Sequence, residues 1–401
     1  MFERDESVFD DRSVLSEDYE PSQIRQRKTE LADYKEYLQP IIDNEPPRNI
    51  FAYGDTGVGK TVVTKYMLNK LQEDAEKYDD VDLKTVWVNV KNMTSYRAAV
   101  SLVNEFRDER NQISRSGRSA DDVHSMLWDE INDSSATHIV FVLDEIDGLG
   151  TDDGLLYELP RASANGHIDD DKICLIGISN DFTYKQDLSG QVKDTLCERE
   201  VHFKPYDADQ LREIITPRAE KAFVDGALND EVIPLTAAQA GNSSGSARHA
   251  LDILYKAGSL ARRNDNTSVT GHYVREATKE LEYDLVRSEI EAQPLQSHIA
   301  LYALAELQQN GETPARKKDI YKYYRSVADD IDADVKTQRT VYNRLTDLAM
   351  KGFIDASTTN KGASGGRYNK YQIDVDVEMI MDIFESDTRM SEAMNAKITN
   401  Y

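Results

Sequence analysis

Eight consecutive residues restrict this chain more than any others: Gly54-Asp55-Thr56-Gly57-Val58-Gly59-Lys60-Thr61 fits G-x-x-x-x-G-K-S/T. They follow the apolar run Ile50 to Tyr53 and precede the helical periodicity of Val62 to Leu71. A strand, a glycine-rich turn and a helix in that order form a phosphate cradle. The glycines let the backbone wrap an anion, and the turn amides and helix N-terminus supply positive potential. Lys60 reaches the outer phosphates, and the Thr61 hydroxyl ligates Mg²⁺.

From Arg48 to about Tyr206 short apolar runs alternate with amphipathic helical patterns, which predicts a parallel sheet with helices on both faces. The expected strands are Asn49 to Tyr53, Thr85 to Val90, His138 to Leu143, Ile173 to Ile178 and Glu200 to Phe203. The third ends in Asp144-Glu145. Acids at the carboxyl end of a buried parallel strand face the ligand crevice of an open α/β sheet. There Asp144 would hold the metal and its water shell, and Glu145 would orient and deprotonate an attacking water. The alternative is a strand that merely ends at a polar turn. Asn180 closes the next strand, where its amide would hold that water or a γ-phosphate; an Asn there is otherwise a turn former.

After Pro205 the pattern is helical: Asp209 to Phe223, Val232 to Ala240 and Ser246 to Arg262. Arg248 opens the last of these, where a guanidinium would reach a γ-phosphate across a cleft or, failing that, serve as a surface charge. From about Leu295 come three helix patterns and two strand-like segments around a glycine-rich turn. We expect three domains: 1–205 with the nucleotide-binding core, a small all-helical lid at 206–285, and 286–401. No window approaches the roughly 18 apolar residues of a membrane span, so a cytoplasmic, nucleoid-associated protein without membrane contact is expected. The two cysteines, Cys174 and Cys197, are too few for a disulfide framework or a zinc cluster.

These motifs together resemble the archaeal replication-initiator family related to the large origin-recognition subunit and its helicase-loading paralogue of eukaryotes. The resemblance also rests on Asp11-Arg12-Ser13-Val14-Leu15 with Tyr19-Glu20-Pro21, on Leu155-Leu156-Tyr157-Glu158-Leu159-Pro160-Arg161-Ala162, on Gly177-Ile178-Ser179-Asn180, on Tyr206-Asp207-Ala208 and on Ala247-Arg248 with Ala250-Leu251. It covers essentially the whole chain. It implies a P-loop AAA+ core, a helical lid, and a C-terminal winged helix; ATP or ADP with Mg²⁺; origin DNA, a replicative ring helicase and self-association on DNA as partners; and slow turnover in which ATP sets a conformation. By the resemblance Val14, Leu15 and Tyr19 line the adenine pocket with Tyr206 close by, Asn180 is the first sensor, Arg248 the second, and Arg199 falls near the arginine-finger position, with Lys193 also close. The chain departs from the family at Gln26, at Ser246 where an acid is usual, and at Val58 where Thr is frequent.

A formal net charge of -25 argues against nucleic acid at first sight. The acids, however, are spread along the whole length, as at Asp79-Asp80, Asp121-Asp122 and Asp169-Asp170-Asp171, and lysine is sparse. We read this as adaptation to molar salt, where the Debye length is about 3 Å and local charge decides; an ordinary acidic cytosolic protein is the alternative. Between Lys336 and Tyr371 seven basic residues face two acids, a local balance of +5. The expected helices are Leu295 to Gln309, Arg316 to Val327 and Lys336 to Met350, followed by strands Phe353 to Ser357 and Arg367 to Ile373. The third helix presents Lys336, Arg339, Thr340, Asn343 and Arg344 away from its apolar face; these would meet the major groove, and Lys361 and Arg367 of the wing would meet phosphates or the minor groove. A wing used for protein contacts is the alternative. The basic insertion Arg107 to Arg118 is a second possible DNA contact or a solvated loop.

The expected function is an ATP-dependent initiator that binds double-stranded origin DNA and helps load the helicase. A signalling ATPase whose winged helix regulates transcription, or a paralogue that binds nucleotide and no specific DNA, are the alternatives.

Overall fold

The computed structural model describes residues 8–168, 173–360 and 367–391, with backbone only at 359, 360 and 367. They fall in two compact units, Met1–Ala277 and Thr278–Tyr401. In chain order the first unit begins with α1 (Lys28–Ile42), β1 (Ile50–Gly54), α2 (Lys60–Ala75), β2 (Leu83–Asn89), α3 (Ser95–Glu105), α4 (Ala120–Asn132) and β3 (His138–Asp144). It continues with α5 (Gly154–Glu158), β4 (Ile173–Ser179), α6 (Tyr184–Asp187), α7 (Gly190–Leu196) and β5 (Arg199–Phe203). Then come α8 (Ala208–Ala222), α9 (Val232–Ser243), α10 (Ala247–Arg263) and the start of α11 (Gly271–Glu291).

The five strands form one sheet in the order β2-β3-β4-β1-β5, every pairing parallel. Parallel neighbours require crossover connections, and here the alternating helices supply them. All seven residues of β3 are buried, which its near-continuous apolar sequence allows only for a strand covered on both faces. The register aligns carboxyl ends: Asn89 lies opposite Asp144, Asp144 opposite Ile178, and Tyr53 opposite Ser179. Whatever follows β1, β3 and β4 is thereby gathered at one edge.

All five expected strands are present, each within a residue or two of its expected ends. The helical lid follows as read, and its first helix starts at a capping box in which Asp207 and Gln210 satisfy each other's backbone amides. Among the elements of this unit, two helices went unforeseen. α1 is polar and carries Pro40 inside it, and α11 has no clean apolar stripe. The N-terminal segment is part of the lid: Phe9 stacks on Phe223 at 4.8 Å, and the Asp10 amide donates to the Ala222 carbonyl at 2.9 Å. Gly258 of α10 makes this possible, because a Cβ there would lie 2.4 Å from the Phe9 ring.

The second unit contains the rest of α11, α12 (Leu295–Gln309), β6 (Ala315–Arg316), α13 (Lys317–Asp330), α14 (Gln338–Met350), β7 (Ile354–Asn360), β8 (Arg367–Ile373) and α15 (Val377–Ser386). The core around α12 includes Tyr324, Val341, Leu345, Leu348, Phe353 and Phe384. Its sheet has the order β6-β8-β7, antiparallel, so the helices and hairpin make the winged-helix arrangement. Two sequence expectations need correcting. Arg316 ends the short strand β6 instead of opening a helix, and Lys336 precedes α14, which starts after Thr337, whose hydroxyl accepts the Thr340 amide. No helix among the described residues is long and apolar enough to cross a membrane.

Candidate functional site

The glycine-rich turn lies between the end of β1 and the start of α2. Gly57 adopts φ +78°, and a Cβ on it would sit 2.1 Å from the Ser246 hydroxyl oxygen, so only glycine fits between the turn and the lid. The lid touches the turn directly: the Ala247 amide donates to the Gly57 carbonyl at 3.0 Å. Lys60 is 4 % exposed, and its ammonium donates to the Gly54 and Asp55 carbonyls at 2.8 and 2.7 Å. Burial pushes this amine down to about 8, against the pull of Asp144, Asp147 and Asp55.

A residue the sequence reading passed over holds the other side of the turn. Arg27 is buried; it donates to the Val58 carbonyl at 2.7 Å, the Lys204 carbonyl at 2.8 Å and the Tyr206 hydroxyl at 2.7 Å, and pairs with Glu30 at 2.8 Å. Its guanidinium lies 3.7 Å from the Tyr206 ring centre. Val58 itself is fully buried and its carbonyl faces Arg27.

Across the cleft Thr61 donates to Asp144 at 3.0 Å. Burial raises the Asp144 carboxyl above its ordinary value despite that bond and one from the Glu145 amide. Two hard oxygen donors this close, one a buried carboxylate lacking full compensation, suit a small divalent ion that takes its remaining ligands from water and phosphate. No cluster of three or more His, Cys, Asp or Glu among the described residues would hold a metal unaided.

Glu145 has a left-handed backbone, φ +59°, which turns its side chain toward β2. There it accepts from Asn89 at 3.2 Å and pairs with Lys91 at 3.1 Å. Burial would raise its carboxyl, but the bonds from Asn89 and Lys91 outweigh it and leave the group below its ordinary value. The backbone N–H of Asn180 donates to the Asp147 carboxylate at 2.8 Å. Arg248, on the first turn of α10, pairs with Glu17 at 2.9 Å.

One cleft of about 860 Å³ gathers these groups. It is lined by Thr56, Gly57, Gly59, Lys60, Thr61, Asp144, Glu145, Asn180, Tyr206 and Arg248, together with Leu15 and Tyr19. Its N-terminal wall is fixed by Arg218, which donates to the Val14 and Ser16 carbonyls at 2.7 and 2.9 Å and lies 4.7 Å from the Tyr19 ring centre. Val14 is buried behind that wall, and Gly54, Asp55 and Val58 support the turn without lining the cleft. Arg199 lies elsewhere. It pairs with Ile50, four residues from Gly54 at the opposite end of the sheet, and its guanidinium lies 5.3 Å from the Tyr37 ring centre.

Sequence reasoning missed Arg27, Asn89, Lys91, Asp147 and Arg218. Asn89 had a usable signal, a polar residue ending an apolar strand. Arg27 had its i,i+3 spacing to Glu30 and its place beside Gln26, where the family usually shows His-Arg, but neither announced burial.

In the second unit Arg339, Thr340, Asn343 and Arg344 line one shallow cleft with Thr346 and Asp347. Arg339 and Asn343 are exposed, but Arg344 pairs with Asp347 at 3.3 Å and Lys336 with Asp334 at 3.2 Å. The Lys336 pair uses an acid outside the 336–371 count, whereas the Arg344 pair uses Asp347, one of the two acids already in the +5 balance. Lys361 lies outside the described residues, as do Asp169-Asp170-Asp171, and Arg367 is described by its backbone in β8 only. Within the basic insertion Arg107 pairs with Glu130, and Arg115 and Arg118 are exposed beside Gly117.

Known proteins match nearly the whole chain. Family models described as "AAA domain", "Cdc6 AAA+ ATPase-type lid domain" and "CDC6, C terminal winged helix domain" match residues 43–179, 212–279 and 288–383. ORC1-type DNA replication protein 1 of Haloarcula marismortui is 42% identical over 407 residues, spanning 98% of this chain and 96% of its own. ORC1-type DNA replication protein 8 of Halobacterium salinarum is 41% identical, spanning 94% and 95%. Both organisms are halophilic archaea. Among solved structures, the Aeropyrum pernix ORC1 protein in complex with DNA superposes with a TM-score of 0.80 at 31% identity, covering 97% of this chain and 99% of that one.

Proposed function

The chain belongs to the ORC1-type DNA replication protein family and is an AAA+ ATPase, and from that premise we propose that it binds double-stranded origin DNA and uses ATP as an assembly switch. We divide it into a nucleotide-binding core at 1–205, a lid at 206–285 and a DNA-binding winged helix at 286–401. The observation that carries the reading is the strand register, which gathers the glycine-rich turn, Asp144-Glu145 and Asn180 at one edge of the sheet, with Arg248 in the same cleft.

In this reading the turn amides from Gly54 to Thr61 and the Lys60 ammonium hold the phosphates. Leu15 and Tyr19, backed by Val14 and closed by Tyr206, hold the adenine. Thr61 and Asp144 would hold Mg²⁺, which would neutralise phosphate charge. Glu145 takes a proton from the attacking water, which Asn180 helps to hold, and Arg248 leaves Glu17 for the γ-phosphate. The bonds from Asn89 and Lys91 must be exchanged before Glu145 can act, which supports slow, switch-like turnover. Arg199, remote from its own chain's cleft, suits a finger offered to a second copy on DNA. Helicase loading and a place at the nucleoid are part of the same proposal, supported by the family resemblance.

Genome-wide chromatin binding of wild-type and Lys60→Ala chains tests this. Wild-type footprints at replication origins are expected, altered in the variant; footprints confined to promoters would overturn the reading in favour of transcriptional control.

A further inference from the structure

Residues 316–325 carry five cations, Arg316, Lys317, Lys318, Lys322 and Arg325, against one acid, Asp319. In a chain of net charge -25 this run is as unusual as the patch on α14. Tyrosines from two different elements hold its first two members. Arg316 lies 4.3 Å from the ring centre of Tyr368 on β8 and donates to its hydroxyl at 3.1 Å. The Lys317 ammonium lies 5.0 Å from the ring centre of Tyr342 on α14 and 5.7 Å from that of Tyr371. The two cations therefore sit in the seam between the third helix and the hairpin.

Packing on an aromatic face fixes a cation without cancelling its charge. Among the described residues neither Arg316 nor Lys317 has a carboxylate partner, unlike Arg344 and Lys336. The start of α13 adds to the imbalance. No side chain caps it, and although Asp319 in the first turn complements the positive end of the helix dipole, Arg316, Lys317 and Lys318 outnumber it there. An anion at the seam would offset both.

Duplex geometry names that anion. A helix in the major groove and a wing in the neighbouring minor groove straddle one sugar-phosphate strand. We propose that Arg316 and Lys317 form a phosphate clamp in the seam between α14 and the wing, gripping the backbone strand that separates the two grooves. This rests on the reading that α14 and the wing engage duplex DNA. Tyr368 and Tyr342 are positioning residues that hold the clamp open toward the phosphates.

The test titrates the full-length chain against a duplex selected by the wild type from a random pool and against its scrambled counterpart, over a potassium chloride series. For Arg316→Gln/Lys317→Gln the slope of log K against log salt should fall by about two, with equal loss on both duplexes. Arg316→Lys should retain the wild-type slope, which a merely structural role for the side chain would not require. Tyr368→Phe, with all charge kept, should weaken binding severalfold at unchanged slope. Arg339→Ala serves as reference and should reduce discrimination instead. An unchanged slope in the double variant while Arg339→Ala binds more weakly overturns the clamp and leaves the DNA reading intact; so does a double variant that loses discrimination. A random pool from which the wild-type chain enriches no duplex, together with binding of an acidic peptide through Arg316 and Lys317, overturns both.

Discussion

The Arg27 guanidinium donates to the main-chain carbonyl of Val58 at 2.7 Å. Tying that oxygen away from the cleft side helps orient the amides of the glycine-rich turn toward an anion.

Arg27→Ala strands the Val58 and Lys204 carbonyls and the Tyr206 hydroxyl around a cavity, and leaves Glu30 unpaired. We expect a stability loss of about 3 to 5 kcal/mol, the range for removing one partner of a buried pair, measured by urea unfolding. Nucleotide affinity should fall at least tenfold. Arg27→Lys should recover much of the stability but little of the affinity, since one ammonium cannot span three acceptors.

Lys60 has a folded-state value near 8, below the 10.5 of an exposed lysine. Between those values the unfolded chain binds more protons than the folded one, so this group's contribution to stability rises with pH from about 8 toward 10.5. Triphosphate binding has the opposite dependence, because it needs the ammonium. ATP affinity should fall as pH rises above about 8, approaching tenfold per pH unit, in calorimetric titrations. Lys60→Ala should abolish binding; retained affinity would remove Lys60 from the site.

Glu145 is held by Asn89 and Lys91. Glu145→Gln should lower ATP turnover about 100-fold or more while sparing ATP affinity, the scale expected for a general base. Lys91→Ala should raise turnover a fewfold. Lys91 also lowers the Glu145 carboxyl, so the acidic limb of the turnover profile should move to higher pH in this variant. A limb that stays put would separate Lys91 from the reaction.

On α14, Arg339→Ala should reduce discrimination among duplexes by about 1 to 3 kcal/mol. Arg344→Ala should cost less, because Asp347 already shares that guanidinium. Fluorescence anisotropy at one salt concentration ranks them, and a larger effect at Arg344 would reverse the assignment.

What could be read in the residue order was what short range encodes. The turn from Gly54 to Thr61 works through its own backbone, and β3 shows its burial in an unbroken apolar run, so motif, strand and terminal acids were visible together. Asn89 acts only because β2 lies beside β3, a neighbour relation that no local pattern records. The partners of Arg27 lie 31, 177 and 179 residues away, so nothing beside it announces its burial. In the second unit, counting charge from Lys336 overlooked both Asp334, which pairs with Lys336, and the denser run at 316–325, which looked like part of an ordinary helix.

The stacking of Phe9 on Phe223 and the bonds from Arg218 to Val14 and Ser16 put the wall proposed to hold the base in the same arm as Arg248, an arm joined to the core at Pro205 and Tyr206 and again through the N-terminal segment that leads to α1. A nucleotide would then pull on that arm at two points, its purine at one end and its terminal phosphate at the other. On the proposed reading such an arm would act as a coincidence detector. Neither an adenine without a third phosphate nor a triphosphate on another base would load both ends at once.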